Sequence, residues 1–510
     1  MISILVWMIA LVALFIHRRQ FRMSILQRHG IPGPKPNLWW GNLFEYLKTP
    51  NVEWDSQLVE KYGPVCGYYM GAKPVILLAE PSLIHTIQTN HDFLDRPRRV
   101  PGGINPDPKR AKMLGNLGVS DWKNLRGILD KAFSPQKLKG MSHHVAALVN
   151  VFMSRIAPND DVSINFYPLY QDLTLDLIGK TGFGLDSDIQ MNPNDELKKA
   201  VDQEFSKSTG TFLLKLFLCF PEIQCVLQPI RVLLEKAKHW MGFGGHSELW
   251  NLGRNAVLQR KNQPQADATD LLQVMLDSGR LDETSIVANS VLFFEAGFET
   301  LSAGLAFITY LMIKHPEVQE DVRNEIRDIL KGSGGKMDCF HLKQFRILDA
   351  AIQEALRMFP PQTTFIGRSG SSAIHREYSW KGQQLKCIIP ANVHVQVGLY
   401  QILNSDEIWE SPRRYNPDRF QPGTTLNQEQ SFAFQPFGNG KRMCIGKKYA
   451  DMALKMLLVP LLSKYKLVRS DETEDDISVI YKTATMTPKK GVFGKPVADP
   501  LFPEEELHDV

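Results

Sequence analysis

The sequence predicts a mainly α-helical protein with a small β part, folded as one large domain behind an amino-terminal membrane anchor. Three observations lead there. Helical periodicity dominates from about residue 45 onward, without an internal repeat. Period-two alternation is confined to residues 372–397, around Lys381-Gly382, and to residues 483–496, with Pro488 and Gly491. The opening stretch, MISILVWMIALVALFI, is apolar from Met1 to Ile16 without a break.

That stretch is expected to be an uncleaved anchor. As a helix it reaches roughly 24 Å, slightly short of the roughly 27 Å core of an endoplasmic reticulum bilayer but workable with snorkelling flanks. His17, Arg18, Arg19 and Arg22 follow it. A cleaved signal peptide carries its positive charges ahead of the apolar run and a small-residue site after it; neither is present. The positive-inside rule keeps the arginine-rich side, and hence the body of the chain, in the cytosol. Residues 1–22 are read as a single-pass anchor. Residues 23–44, with IPGPKP at 31–36, are read as a stiff proline-rich linker, because prolines cannot continue a helix. Residues 45–510 form the body.

Within the body, residues 283–314 make one long, mostly apolar helix. Asp282 or Thr284 can cap it and His315-Pro316 ends it. Glu295 and Glu299 lie inside it and would be costly in lipid, so it is expected to be the central core helix and not a second span. Residues 401–436 are rich in Pro, Asn, Asp and Gly, the composition of a long functional loop.

Bulk composition excludes several classes. Apolar residues make up 43% and charged residues 22% of the chain, enough for a large core and too mixed for disorder. A net charge of +4 over 510 residues gives no electrostatic footprint for nucleic acid. The six cysteines, Cys66, Cys219, Cys225, Cys339, Cys387 and Cys444, are sparse, and no two are separated by only two residues. Zinc ribbons, dithiol motifs and covalent c-type haem attachment find no support, and a reduced compartment is expected.

The chemistry concentrates in FGNGKRMCIG, residues 437–446. Phe437, Gly440, Arg442, Cys444 and Gly446 stand there at fixed spacing, a pattern with a chance occurrence on the order of 10⁻⁴ in a chain this long. Glycines let backbone approach a flat cofactor and turn N–H groups toward a thiolate. Arg442 can pair with a carboxylate of such a cofactor, and Phe437 can shield the sulfur. A lone cysteine is usually a small buried hydrophobe; these neighbours favour a ligand.

This segment resembles the haem-binding loop of the cytochrome P-450 family, and the resemblance extends from the anchor to the last hairpin. It implies a single large haem domain of the cytochrome P-450 fold, similar to animal microsomal members, with non-covalent haem b and Cys444 as the metal ligand. Glu354 and Arg357, in EALR followed by MFPP, resemble the family's Glu-x-x-Arg pair. Arg419, in YNPDRF, resembles the third member of that structural network, with Asp418 where the family commonly has Glu. Ala296, Gly297, Glu299 and Thr300, in AGFET, resemble the oxygen-activating turn. Ala296 and Gly297 would leave room for O₂, and Glu299 and Thr300 would help deliver protons. Trp122 and Arg126 (WKNLR) and Arg368 (FIGRSG) resemble contacts to the haem propionates.

The implied activity is insertion of one atom of O₂ into a lipophilic substrate, with electrons from NADPH passed by a membrane-bound flavoprotein reductase. Lys441, Lys447 and Lys448 beside the loop, with Lys123, Lys131, Lys137 and Lys139 on the Trp122 side, are expected to dock that acidic partner. Two other readings stay open: a reductase-independent peroxide isomerase of the same fold, and a non-catalytic haem sensor or carrier. Expected pocket walls are residues 97–120, 205–245, Phe293, Phe294, Thr363–Ile366 and 483–487.

Overall fold

A computed structural model describes residues 2–96, 109–157, 161–192, 195–206, 215, 218–220, 222, 229, 233, 248–263, 270–332, 341–364, 367–482 and 485–501. Helices dominate it, as the periodicity predicts, and four small sheets supply the β part.

The organising element is the helix Glu283–Lys314. Asp282 caps it by accepting a 3.0 Å hydrogen bond from the Ser285 N–H, and it stops at His315, before Pro316. Most of its length is buried, so it is the core helix the two internal acids foretell. The helix Phe166–Phe183 runs along it, buried on nearly all sides. Phe183 packs on Phe294 with ring centroids 4.3 Å apart, and the Tyr170 and Thr309 hydroxyls are hydrogen-bonded at 2.6 Å. Gly297 is the point of closest approach: a Cβ there would lie 2.6 Å from Ile178 Cδ1. Gly297 therefore serves helix packing, and the expectation that it leaves room for O₂ is corrected. Overpacking this contact with a larger side chain would cost typically ~1–3 kcal/mol.

Strands Val65–Met70 and Lys73–Leu78 pair antiparallel, and His394–Val397 adds to the second in parallel. Ile374–Trp380 and Gln383–Ile389 form the expected hairpin. Its turn residues Lys381 and Gly382 both adopt positive φ (48° and 75°), which suits the twist of a two-residue connection. The carboxy-terminal pairing differs from the expectation. Thr485–Pro488 pairs with Val479–Lys482, and Phe493–Ala498 crosses instead to Tyr465–Val468 and Ile164–Asn165. Alternation identifies a strand but not its partner; here tertiary packing decides it.

At the amino terminus, one helix runs from Ile2 to Met23, through the apolar run and the basic cluster alike. Ile4, Trp7 and Leu11 are 61–70% exposed, as a lipid-facing segment requires. The proline-rich stretch packs on the body: Leu26 and Ile31 are buried beside Val65 and Ile76, and the Gly67 N–H donates to the Pro32 carbonyl at 2.9 Å.

Candidate active site

The segment carrying Cys444 is a turn followed by a 3₁₀ turn, Gly440–Arg442, and then the helix Lys447–Lys464. Gly438 and Gly440 hold positive φ (77° and 70°), and any side chain on Gly440 would collide with the Gln88 carbonyl. That is the local reason for two glycines. The loop closes when the Cys444 N–H donates to the Phe437 carbonyl at 2.9 Å. Phe437 packs partly buried against the main core.

Cys444 differs from the other described cysteines. Cys66, Cys219 and Cys387 are buried, whereas Cys444 has open surface. Protein atoms nevertheless surround it closely, and burial pushes its thiol above the ordinary value. Backbone N–H groups of Gly446 and Lys447, and the charge of Arg126, act in the opposite direction and favour its thiolate. Burial also raises the Cys387 thiol, to about 11, with Glu80 adding to the effect.

Among the described residues, four guanidinium groups converge on the same loop, the first being Arg96, whose Nη2 donates to the Arg442 carbonyl at 3.4 Å. The Arg126 Nη1 donates to the Met443 carbonyl at 2.8 Å, and its Nε to Asp130 at 2.8 Å. Arg368 donates to the carbonyls of Gln88 (2.8 Å) and Asn439 (3.2 Å). Arg442 lies over the indole of Trp122, 4.0 Å from the ring centroid, and donates to the carbonyls of Leu94 and Leu117. Its Nη1 is buried without a partner. Burial pulls Arg442 down to about 10, with Arg368 and Arg126 adding to the effect and Asp95 opposing it; burial alone does the same to Arg368. Both remain charged at neutral pH. Such a cluster, with a buried orphaned donor, is a receptacle for carboxylates. A thiolate-forming sulfur beside an excess of guanidinium fits haem, whose iron would take the first and whose propionates would take the second.

The central helix contributes a second open patch. Ala296 is exposed in the middle of an otherwise buried helix, and Thr300, one turn on, is half-buried. The Thr300 hydroxyl donates to the Ala296 carbonyl at 2.6 Å, which leaves its oxygen lone pairs available. Glu299 is 4% exposed and lies near Tyr167, whose hydroxyl its charge helps to keep protonated. Neighbouring Glu295 forms a bidentate pair with Arg110 at 2.7 and 3.1 Å. The structure ties this helix to the Trp122 region through Asn289, which accepts from the Leu114 N–H at 2.8 Å, and through Phe293 against Phe133. Gln88, Asp95 and Asn289 have no sequence signal: their positions follow only from the folded contacts.

Glu354, Arg357 and Arg419 form a separate cluster. Arg357 meets Glu354 in a fork at 2.7 and 2.9 Å and also donates to the carbonyls of Leu403 and Pro412. Arg419 reaches Glu354 at 3.4 Å, and the Asn416 N–H donates to the same carboxylate. Both members of the first pair are wholly buried. Of the expected pocket walls, residues 97–108, 365–366, 483–484 and most of 205–245 lie outside the described residues.

The Cytochrome P450 family model matches residues 31–493. The chain belongs to the cytochrome P450 family. It is 28% identical to the Thromboxane-A synthase of Mus musculus, over 96% of each chain. It is 28% identical to the Cytochrome P450 3A28 of Bos taurus, over 98% of this chain and 96% of that one, and 26% identical to the Cytochrome P450 3A9 of Rattus norvegicus. As a P450 it is a haem enzyme of the haem-thiolate type. The similarity to microsomal P450s agrees with the apolar first helix in pointing to a membrane-bound protein.

Proposed function

We propose that this P450 is an NADPH-dependent mono-oxygenase of lipophilic substrates, held in the endoplasmic reticulum membrane by one amino-terminal span, with residues 45–510 as its cytosolic catalytic domain. The orphaned, buried Arg442 guanidinium beside the accessible thiol of Cys444 carries the reading. Cys444 would supply the sulfur that binds the iron of haem b. Gly446 and Lys447 stabilise its negative charge through their N–H groups, and Phe437 limits water on that side. Trp122, Arg126, Arg368 and Arg442 hold the propionates. Haem bound there supplies the redox chemistry by which O₂ yields one oxygen atom to the substrate and one to water.

The remaining work falls to the central helix. The small Ala296 leaves room for O₂. The Thr300 hydroxyl, its own proton held by the Ala296 carbonyl, would accept a hydrogen bond from a water and so position it to relay protons. Glu299, buried beside it, supplies protons. Glu354, Arg357 and Arg419 hold the loop that carries the sulfur. The exposed lysines Lys441, Lys447, Lys448, Lys123 and Lys131 frame the cysteine side, which suits docking of an acidic flavoprotein reductase.

A second reading is favoured by the similarity to Thromboxane-A synthase: rearrangement of a peroxide without a reductase. Oxygen-dependent NADPH consumption in the presence of reductase separates the two. Substrate-stimulated consumption with oxygenated product supports the mono-oxygenase; peroxide turnover at full rate without reductase, and no NADPH use, overturns it.

A further inference from the structure

The basic cluster after the apolar run looks, in sequence, like a solvated flank. Arg19 does not behave that way. It is 1% exposed, in a helix whose apolar window is only 6% buried. Its guanidinium donates to the carbonyls of Leu38, Trp39 (2.7 Å) and Cys219 and to the Glu222 carboxylate (3.0 Å). Arg22 meets the other oxygen of Glu222 at 3.0 Å. The Arg19 guanidinium also lies over Phe220, 5.2 Å from the ring centroid. One side chain therefore joins the anchor helix, the proline-rich stretch and the 218–222 segment. That segment is itself fixed: Leu218 and Cys219 are buried with Leu43, and the Leu218 carbonyl accepts from the Ala72 N–H at 3.0 Å. Only a planar fork with several directed donors satisfies acceptors in so many directions.

A rigid joint at Arg19 sets the angle between the anchor and the body, and hence the face the body turns to the bilayer. Beside the joint, large apolar side chains are open: Trp39 at 42%, Phe44 at 43% and Leu47 at 49%. Trp39 stacks on Phe15, with centroids 6.4 Å apart, so it lies at the depth of the last turn of the apolar run. Trp40 continues the patch edge-on to Phe44, and Phe44 and Leu47, three residues apart, are neighbours on the helix Leu43–Lys48, beside the buried Leu43. Aromatic side chains at that depth belong in the headgroup layer.

We infer that Arg19 latches the anchor helix to the catalytic domain and so seats Trp39, Phe44 and Leu47 in the same bilayer, as a second contact with lipid. The inference rests on the anchor reading of residues 1–22. Full-length protein in phosphatidylcholine vesicles would carry a nitroxide at Leu11→Cys, Phe44→Cys or Leu47→Cys, with the signal of the labelled native chain subtracted. Relaxation by oxygen and by a water-soluble nickel chelate then reports depth. The expected result is a bilayer signature at all three positions. Arg19→Ala and Glu222→Gln should move positions 44 and 47 several-fold toward nickel access and leave position 11 unchanged. Glu222→Gln removes only a partly exposed charge, so it tests the latch even if Arg19→Ala does not fold. Solvent-like labels at 44 and 47 with a lipid-like label at 11 overturn the second contact. Unchanged depths in Glu222→Gln and Arg19→Ala overturn the latch. A solvent-like label at 11 defeats the anchor reading itself.

Discussion

Two arginine clusters in this protein are built differently. In the first, Arg357 and Arg419 share the carboxylate of Glu354, and the remaining Arg357 donors end on the carbonyls of Leu403 and Pro412. Two guanidinium groups share one carboxylate there, and none of their buried nitrogens lacks a partner. In the second, Arg96, Arg126, Arg368 and Arg442 crowd one region, Asp95 and Asp130 are the acids that offset them, and one Arg442 nitrogen has no partner. A complete network holds structure; an incomplete one is built to receive something. The contrast supports the proposal that the first cluster serves folding and the second binds the carboxylates of haem.

That division can be broken by substitution. Glu354→Ala leaves two guanidinium groups without their acid, and should cost about 3–5 kcal/mol of stability. Thermal unfolding should show a large drop and little holoprotein should form. A mild effect on stability with selective haem loss would place this cluster in the binding site. Arg442→Ala should do the reverse. The fold should survive, and haem should transfer faster to an acceptor protein, with a loss on the order of 1.5–3 kcal/mol in retention. Equal loss of fold and haem would erase the distinction.

A third buried charge sharpens the comparison because it has no ionic partner. Asp55 is wholly buried; Gln396 donates to one oxygen at 2.9 Å and the other oxygen has no partner. Burial pushes its carboxyl up to about 8, opposed only by the Gln396 hydrogen bond. The folded protein therefore keeps this proton to a higher pH than the unfolded chain does. The contribution is full below about pH 4 and is lost as pH rises toward 8, at up to about 1.4 kcal/mol per pH unit. Asp55→Asn should flatten the fall in unfolding stability between pH 6 and 8. An identical slope in the variant would show that Asp55 is ionised throughout.

Thr300→Ala should have the smallest structural effect, since the hydroxyl bonds only to its own helix at the Ala296 carbonyl. Stability and haem content should stay near native, while product formed per NADPH consumed falls several-fold and peroxide rises. An unchanged ratio removes Thr300 from proton delivery.

The sequence carried much of this because several features are local. FGNGKRMCIG shows its glycines, its arginine and its sulfur within ten residues, and EALR places its ion pair on one helix face. The central helix announced its ends through Asp282 and Pro316. What was hidden is set by distant partners. Arg19 reads as a flanking charge until Cys219 and Glu222 fold against it. Gly297 reads as space for a ligand until Ile178 fills it. Strand Thr485–Pro488 alternates properly, yet nothing in it names Val479–Lys482 as its partner. Gln88 and Asp95 carry no motif, and their role depends on where Arg368 and Arg442 arrive.

The central claim is that Cys444, and no other thiol, binds the haem iron. The direct test is the spectrum of the reduced protein with carbon monoxide, compared among the native chain, Cys444→Ala and Cys66→Ala. Cys66 is fully buried in a strand and serves as the control. The account predicts a band well to the red of histidine-ligated haem in the native protein and in Cys66→Ala, and its complete loss in Cys444→Ala. Survival of that band in Cys444→Ala would contradict it.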